Sequence, residues 1–212
     1  MKPLALDLCC GKGGWTIGLQ ATGWEVIGCD IEAWLGYPGD HFIQGDVRTL
    51  DLDAVRKIGK VQLVCASPPC QEFSKLHLPF FKKLKDKILK GEAPQPDKSI
   101  WEACVRIAAE LEAPLILENV VGAQYWMGKG KWHGGPFYIW GDLPALMPQV
   151  KAKKGMNLDR YKFNGVRLDY LYQGPRKWSS KSPQRKEWSA KAAMIPLELA
   201  TWIGECFMNS LK

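Results

Sequence analysis

A cysteine closes the segment Ala66-Ser67-Pro68-Pro69-Cys70-Gln71-Glu72-Phe73-Ser74, just after the apolar run Val61–Ala66. The thiolate is the nucleophilic form of cysteine, and a free thiol titrates near ~8.5, so attack by Cys70 requires local activation. The two prolines fix the backbone and set the thiol beyond the run. A lone cysteine is more often an inert core residue. Cys65, inside the run, is read that way, as are Cys9, Cys10, Cys29, Cys104 and Cys206. A second chemical group is Glu118-Asn119-Val120, after another apolar run. A carboxyl in a closed, apolar site can hold its proton to high pH and then donate it. A carboxylate at a helix start is an equally ordinary reading of the same residues. The third group is Asp7-Leu8-Cys9-Cys10-Gly11-Lys12-Gly13-Gly14-Trp15. Glycines after a first strand let a ligand approach the backbone, and an acid ending the second strand, Asp30, can accept from ribose hydroxyls. A dinucleotide fingerprint would need a third glycine where Thr16 stands, so a ligand without a pyrophosphate fits better. A tight turn beside a solvated Asp30 is the plainer alternative.

These groups need elements to hold them. Leu4–Leu8, Glu25–Asp30, His41–Gly45, Val61–Ala66 and Leu115–Glu118 read as strands, and Trp15–Thr22 as a helix stopped by Gly23. The clearest helix has Ser99 and Glu102 as a capping box and Ile100, Cys104, Ile107, Ala108 and Leu111 at helical spacing. Strands alternating with helices imply an α/β fold: a mostly parallel sheet with helices on both faces. Ligands in such sheets sit beyond the carboxyl ends of the strands. All three chemical groups fall there. Beyond about Tyr125 the pattern loosens, with short strands expected near Phe137–Trp140. Pro196 then opens a last helix with an apolar stripe of Leu199, Trp202, Ile203 and Cys206. Residues 1–125 read as a catalytic and cofactor-binding core, 126–192 as a small basic recognition region, and 193–212 as a helix returning to the core.

Composition sets the class. The 212 residues suit one compact domain. The net charge is +7, and the segment Lys151–Lys191 alone holds twelve Lys or Arg against three acids, leaving −2 for the rest. A basic segment beside a near-neutral body points to a polyanion, nucleic acid first, or to a merely solvated surface. Lys82, Lys83, Lys85, Lys87 and Lys90 form a second basic stretch, readable as an amphipathic helix with a cationic outer face. Seven cysteines without a CxxC pair give no zinc pattern, so no metal is expected. Neither a signal peptide nor an apolar run of spanning length is evident. The expectation is a cytoplasmic protein with reduced thiols and no membrane partner.

In this order, the three chemical segments resemble the DNA cytosine-5 methyltransferase family. Asp7–Trp15 is similar to its cofactor loop, Pro69-Cys70-Gln71 with Phe73-Ser74 to its catalytic motif, and Glu118-Asn119-Val120 to its base-binding motif. Gly45-Asp46-Val47 falls where the family contacts the adenine of its cofactor. Ala193-Met194-Ile195-Pro196 through Ile203 resembles its closing helix region. The resemblance runs from Leu4 to Val120 and thins beyond. Lys75-Leu76 stands where the family usually has a glycine, and the arginine motif Gln-x-Arg-x-Arg is absent, with Arg167 as its stand-in. About ninety residues follow Asn119, so any target-recognition region is small.

The resemblance implies a Rossmann-like fold that binds S-adenosylmethionine and methylates cytosine at ring carbon 5 in double-stranded DNA. It implies a flipped-out base, Cys70 as covalent nucleophile, Glu118 acting on ring nitrogen 3, and Asn119 and Arg167 as further catalytic residues. The cofactor would be held by Asp7, Leu8, Cys9, Gly11, Gly13, Gly14, Trp15, Asp30, Ile31, Asp46, Val47 and Pro68. DNA would meet Gln71, Ser74, Lys82, Lys83, Arg176, Lys177 and Arg185. A monomer in a bacterial or phage-infected cell is expected. An RNA cytosine-5 methyltransferase shares every one of these motifs. An amino-group methyltransferase would carry an aromatic residue at position 70. A non-catalytic DNA-binding or decoy module would have no use for Cys70 and Glu118.

Overall fold

Apolar runs without polar alternation, such as Leu4–Leu8 and Val61–Ala66, make strands that must be covered on both faces. The computed structural model, which describes residues 2–77, 79, 82–149, 162–163, 166–167 and 182–211, places them at the centre of a seven-stranded sheet. Its strands are β1 (Leu4–Leu8), β2 (Glu25–Asp30), β3 (His41–Gln44), β4 (Val61–Ala66), β5 (Leu115–Asn119), β6 (Trp132–Gly134) and β7 (Phe137–Gly141), in the order β3-β2-β1-β4-β5-β7-β6. The first five are parallel, and β7 runs antiparallel between β5 and β6. This is the mostly parallel α/β sheet that the alternation of strands and helices implies. β8 (Lys162–Phe163) and β9 (Val166–Arg167) form a separate two-stranded ribbon.

The helices are α1 (Gly14–Ala21), α2 (Leu52–Ile58), α3 (Gln71–His77), α4 (Lys82–Leu89), α5 (Ser99–Glu110), α6 (Gln124–Met127), α7 (Pro183–Ala192) and α8 (Leu197–Ser210). Leu4, Leu6 and Leu8 of β1 pack with α2, α3 and α5, while Ala5 faces the side covered by α1 and α8. The period of two along a strand thus feeds two cores.

α8 lies against α1, and the contact is made by small residues. A Cβ on Gly18 would run into Ala200, and one on Gly204 into Thr22. Trp24 Nε1 donates to the Gly204 carbonyl at 2.9 Å. The stripe expected for α8 is therefore rotated. Leu199, Ala200, Ile203 and Gly204 are buried, whereas Trp202 reaches outward to donate to the Leu146 carbonyl at 3.0 Å. Close helix approach favours small residues, which a search for apolar side chains passes over. The capping box at α5 is also corrected. Lys98 is the cap residue and makes no side-chain cap bond. Asp97 Oδ1 accepts from the Ser99 amide at 2.8 Å instead, and Ser99 Oγ accepts from Arg48.

Candidate active site at the carboxyl ends of the strands

β4 ends at Ala66, and Ser67, Pro68 and Pro69 carry the chain to Cys70. The Cys70 carbonyl accepts from the Ser74 amide at 2.8 Å, so Cys70 opens α3. Phe73 is buried in the core and pins this short helix down. The side chain of Ser74 hydrogen-bonds Cys70, which favours the thiolate. Burial works against it and, with the nearby Glu118 charge, holds the Cys70 thiol above its ordinary value of 9.0. The residues expected to meet DNA here divide. Gln71 is exposed, while the Ser74 side chain is turned to the sulfur.

β5 lies beside β4, and its end brings Glu118 and Asn119 to the same edge. Glu118 is 8% exposed. Burial raises its carboxyl to about 8, a rise opposed by a hydrogen bond from Ser67. At neutral pH it is therefore a protonated acid with a proton to donate. Asn119 Nδ2 donates to the Pro68 carbonyl at 3.0 Å, tying the end of β5 to the proline turn. The turn Val121–Ala123 packs against α3 and closes the arrangement.

The glycine loop lies across β1 from this pair. Cys9, Gly11 and Gly13 all have left-handed backbone, with φ of 55°, 51° and 78°. Two of the glycines serve the chain itself. A Cβ on Gly13 would meet Pro38 at 2.7 Å, and one on Gly14 would meet the Ile195 amide at 2.6 Å. Gly11 differs, since a Cβ there meets nothing within 4 Å, and the same holds for Gly45. Asp30 joins these two open turns. Its Oδ2 accepts from the Gly11 amide at 2.9 Å, and its carbonyl from the Gly45 amide at 2.9 Å. Ile31 beside it is 64% exposed. Open backbone, a carboxylate and an exposed apolar side chain suit a ligand carrying a ribose and a flat base.

The remaining residues expected around the cofactor are less accessible. Leu8, Val47 and Pro68 are buried. The Cys9 thiol hydrogen-bonds Cys104 in the core. Asp7 is buried beneath the loop, where its Oδ2 accepts from the Thr16 hydroxyl at 2.7 Å and the Thr16 amide at 3.2 Å. Trp15 is 1% exposed. Asp46 caps the turn Val47–Thr49 and is ion-paired with Arg48, which lowers its pKa. Thr16 and Ser67, which the sequence did not single out, organise the loop and the acid.

Lys82 and Lys83 are exposed on α4, and Lys85 Nζ sits 4.2 Å from the centre of the Tyr125 ring. Arg167 lies in β9 and Arg185 in α7; Arg176 and Lys177 lie outside the described residues. α7 reaches the glycine loop through an ion pair of 2.8 Å between Glu187 and Lys12. A separate concavity of about 750 Å³ opens beside Pro114, Leu143 and Phe207, at the start of β5, and contains none of these groups. Among the described residues no group of three metal-ligating side chains converges, and no helix is long and apolar enough to cross a membrane.

The family model for the C-5 cytosine-specific DNA methylase matches residues 4–125. No curated protein matches. Among solved structures, the chain is similar to an E. coli prophage-encoded protein described as a DNA modification methyltransferase, at 15% identity and a TM-score of 0.45, covering 74% of this chain and 53% of that one. It is also similar to the Dnmt2 methyltransferase of S. pombe, at 17% identity and a TM-score of 0.41, covering 58% of this chain and 36% of that one. The chain thus spans about half the length of the first of these structures and about a third of the second.

Proposed function

Because the chain belongs to the C-5 cytosine-specific DNA methylase family, we propose that it methylates cytosine in double-stranded DNA at ring carbon 5, through a covalent bond to Cys70. The observation that carries this reading is the placing of Cys70 and a buried Glu118 beyond the ends of two neighbouring strands, near enough for the Glu118 charge to push the Cys70 thiol up. A nucleophile beside a proton donor is what addition across an aromatic ring demands. A cytosine is out of reach while stacked in a duplex, so the target base is turned out into the site.

Cys70 thiolate adds to ring carbon 6, and Glu118 donates its proton to ring nitrogen 3, so that electron density collects on carbon 5. S-adenosylmethionine, when bound, supplies an electrophilic methyl group. The turns at Gly11 and Gly45, with Asp30 and Ile31, are the residues that fit it. A base then takes the carbon-5 proton, the electron pair it leaves forms the carbon 5–carbon 6 double bond, and the Cys70 sulfur departs as thiolate. Glu118 recovers its proton from nitrogen 3. Ser74 favours the thiolate at both ends of this cycle, and Asn119 holds the proline turn. The DNA phosphates fall to Gln71, Lys82, Lys83 and the basic segment that contains Arg167 and Arg185. The setting we assign is the cytoplasm of a bacterial or phage-infected cell, where duplex DNA is at hand.

Bisulfite sequencing of DNA and RNA from cells expressing the wild type or Cys70→Ala tests this. Methylated cytosines in DNA from wild-type cells alone support it. Methylation confined to RNA, or equal in the two cells, contradicts it.

A further inference from the structure

Glu118 does not stand alone at the end of β5. Ala66 pairs with Leu117 across β4 and β5, so Ser67 follows beside Glu118, and its side chain opposes the rise that burial gives the carboxyl. Ser67 Oγ in turn accepts from Trp15 Nε1 at 3.0 Å. The three residues come from three elements: Trp15 from the first turn of α1, Ser67 from the end of β4, and Glu118 from β5. An indole N–H can only donate, whereas a hydroxyl has one hydrogen and two lone pairs. The Trp15 bond therefore occupies a lone pair of Ser67 and leaves the single hydroxyl hydrogen for Glu118. Trp15 is 1% exposed and Glu118 8%, so water competes poorly at either end.

We propose that Trp15 and Ser67 are positioning residues for methyl transfer, a relay that holds the Glu118 carboxyl with one oxygen bound by Ser67 and the other free to carry the transferable proton. The inference rests on Glu118 being the donor to ring nitrogen 3. A Ser67 hydrogen bond stabilises the carboxylate left behind when that proton departs, and so offsets the burial that favours the neutral acid. Among the described residues, the titratable group placed near Glu118 is Cys70, whose thiol the Glu118 charge pushes up. Ser67, Trp15 and Ile139, the cross-strand neighbour on β7, carry no charge. The relay also gives Trp15 a role different from contact with the cofactor. It starts directly after the glycine loop, so the loop and the acid are linked by one side chain.

The test reads the Glu118 titration in the free protein by carbon-13 NMR, assigned with Glu118→Gln, and separately the pH dependence of single-turnover methylation. Ser67→Ala is expected to raise the Glu118 midpoint by about one pH unit, and Ser67→Thr to restore it. Trp15→Phe, which keeps a buried ring, is expected to raise it by less. Trp15→Phe with Ser67→Ala is expected to raise it no further than Ser67→Ala alone, because Trp15 acts through Ser67. The alkaline limb of the methylation rate should move by the same amounts. An unmoved midpoint in Ser67→Ala overturns the relay whatever the activity, and additive shifts in the double variant remove Trp15 from it. A midpoint that moves while the rate profile stays fixed overturns the catalytic role, and places the failure in the assignment of Glu118 as proton donor.

Discussion

A carboxyl that keeps its proton to about pH 8 beside a thiol held above its ordinary range is a poor pair at rest and a useful one in reaction. Below about pH 8 Glu118 is neutral and adds no repulsion to a Cys70 thiolate. Addition to the ring then consumes both, as Cys70 supplies electrons and Glu118 supplies the proton. Turnover should fall as pH rises through about 8, where Glu118 loses that proton. Glu118→Gln should abolish this limb and lower kcat by roughly 10²–10⁴-fold, the range of a positioned acid, with DNA affinity little changed. Steady-state kinetics alongside equilibrium binding checks this, and an unchanged kcat makes Glu118 a structural carboxyl. Cys70, Glu118 and Asn119 were legible in the sequence because each follows an apolar run at the same end of a parallel sheet. Ser67 was not, because a serine before two prolines has no signature until Glu118 and Trp15 are brought around it.

At the scale of elements, the glycine loop depends on two acids that act in different ways. Asp30 binds the Gly11 amide with one carboxylate oxygen and the Glu32 amide with the other, beside the open turn at Gly11. Asp30→Ala should weaken S-adenosylmethionine binding by on the order of 1–3 kcal/mol, the value of a hydrogen bond to a charged group. Calorimetry is the measurement, and unaltered affinity would remove Asp30 from the site. Asp7 lies buried below, clamping Thr16 at the start of α1, and burial raises its carboxyl from 3.8 to about 7. The stabilising effect of its retained proton is fully present below pH ~4 and is lost as pH rises toward about 7, because the unfolded chain gives up that proton first. Glu118 contributes the same sign between 4.5 and about 8. Asp7→Asn should therefore flatten the decline of stability from pH 4 to 7, read from urea unfolding at several pH values. A slope identical to wild type would show that Asp7 does not hold its proton. The strands, the glycine turn and the central helix were readable from periodicity and punctuation. The α1–α8 contact was not, since Gly18, Ala200 and Gly204 make it by lacking side chains. For the same reason Gly13 and Gly14 read as space for a ligand, while Pro38 and Ile195 fill it.

Over the whole molecule, charge and size set what DNA recognition can be. The segment Lys151–Lys191 carries a net +9, twelve cations less three acids, against −2 for the remainder. Cations hold phosphates without reading sequence, and releasing counterions makes affinity fall steeply with salt. Around forty residues, rich also in Gly, Pro and Ser, can present few base contacts, each worth about 1–3 kcal/mol of discrimination. Binding titrations at rising salt should show a strong dependence, and the methylated motif should span very few base pairs. Salt-independent affinity, or methylation confined to a long, fully specified site, would contradict this. The central claim is the covalent bond to Cys70, and its most direct measurement is capture on DNA containing 5-fluorocytosine in the presence of S-adenosylmethionine, since fluorine cannot leave as a proton does. Wild type is expected to yield a protein–DNA adduct that peptide mapping places on Cys70, and Cys70→Ala none. An adduct formed by Cys70→Ala, or mapped to any other cysteine, would contradict it.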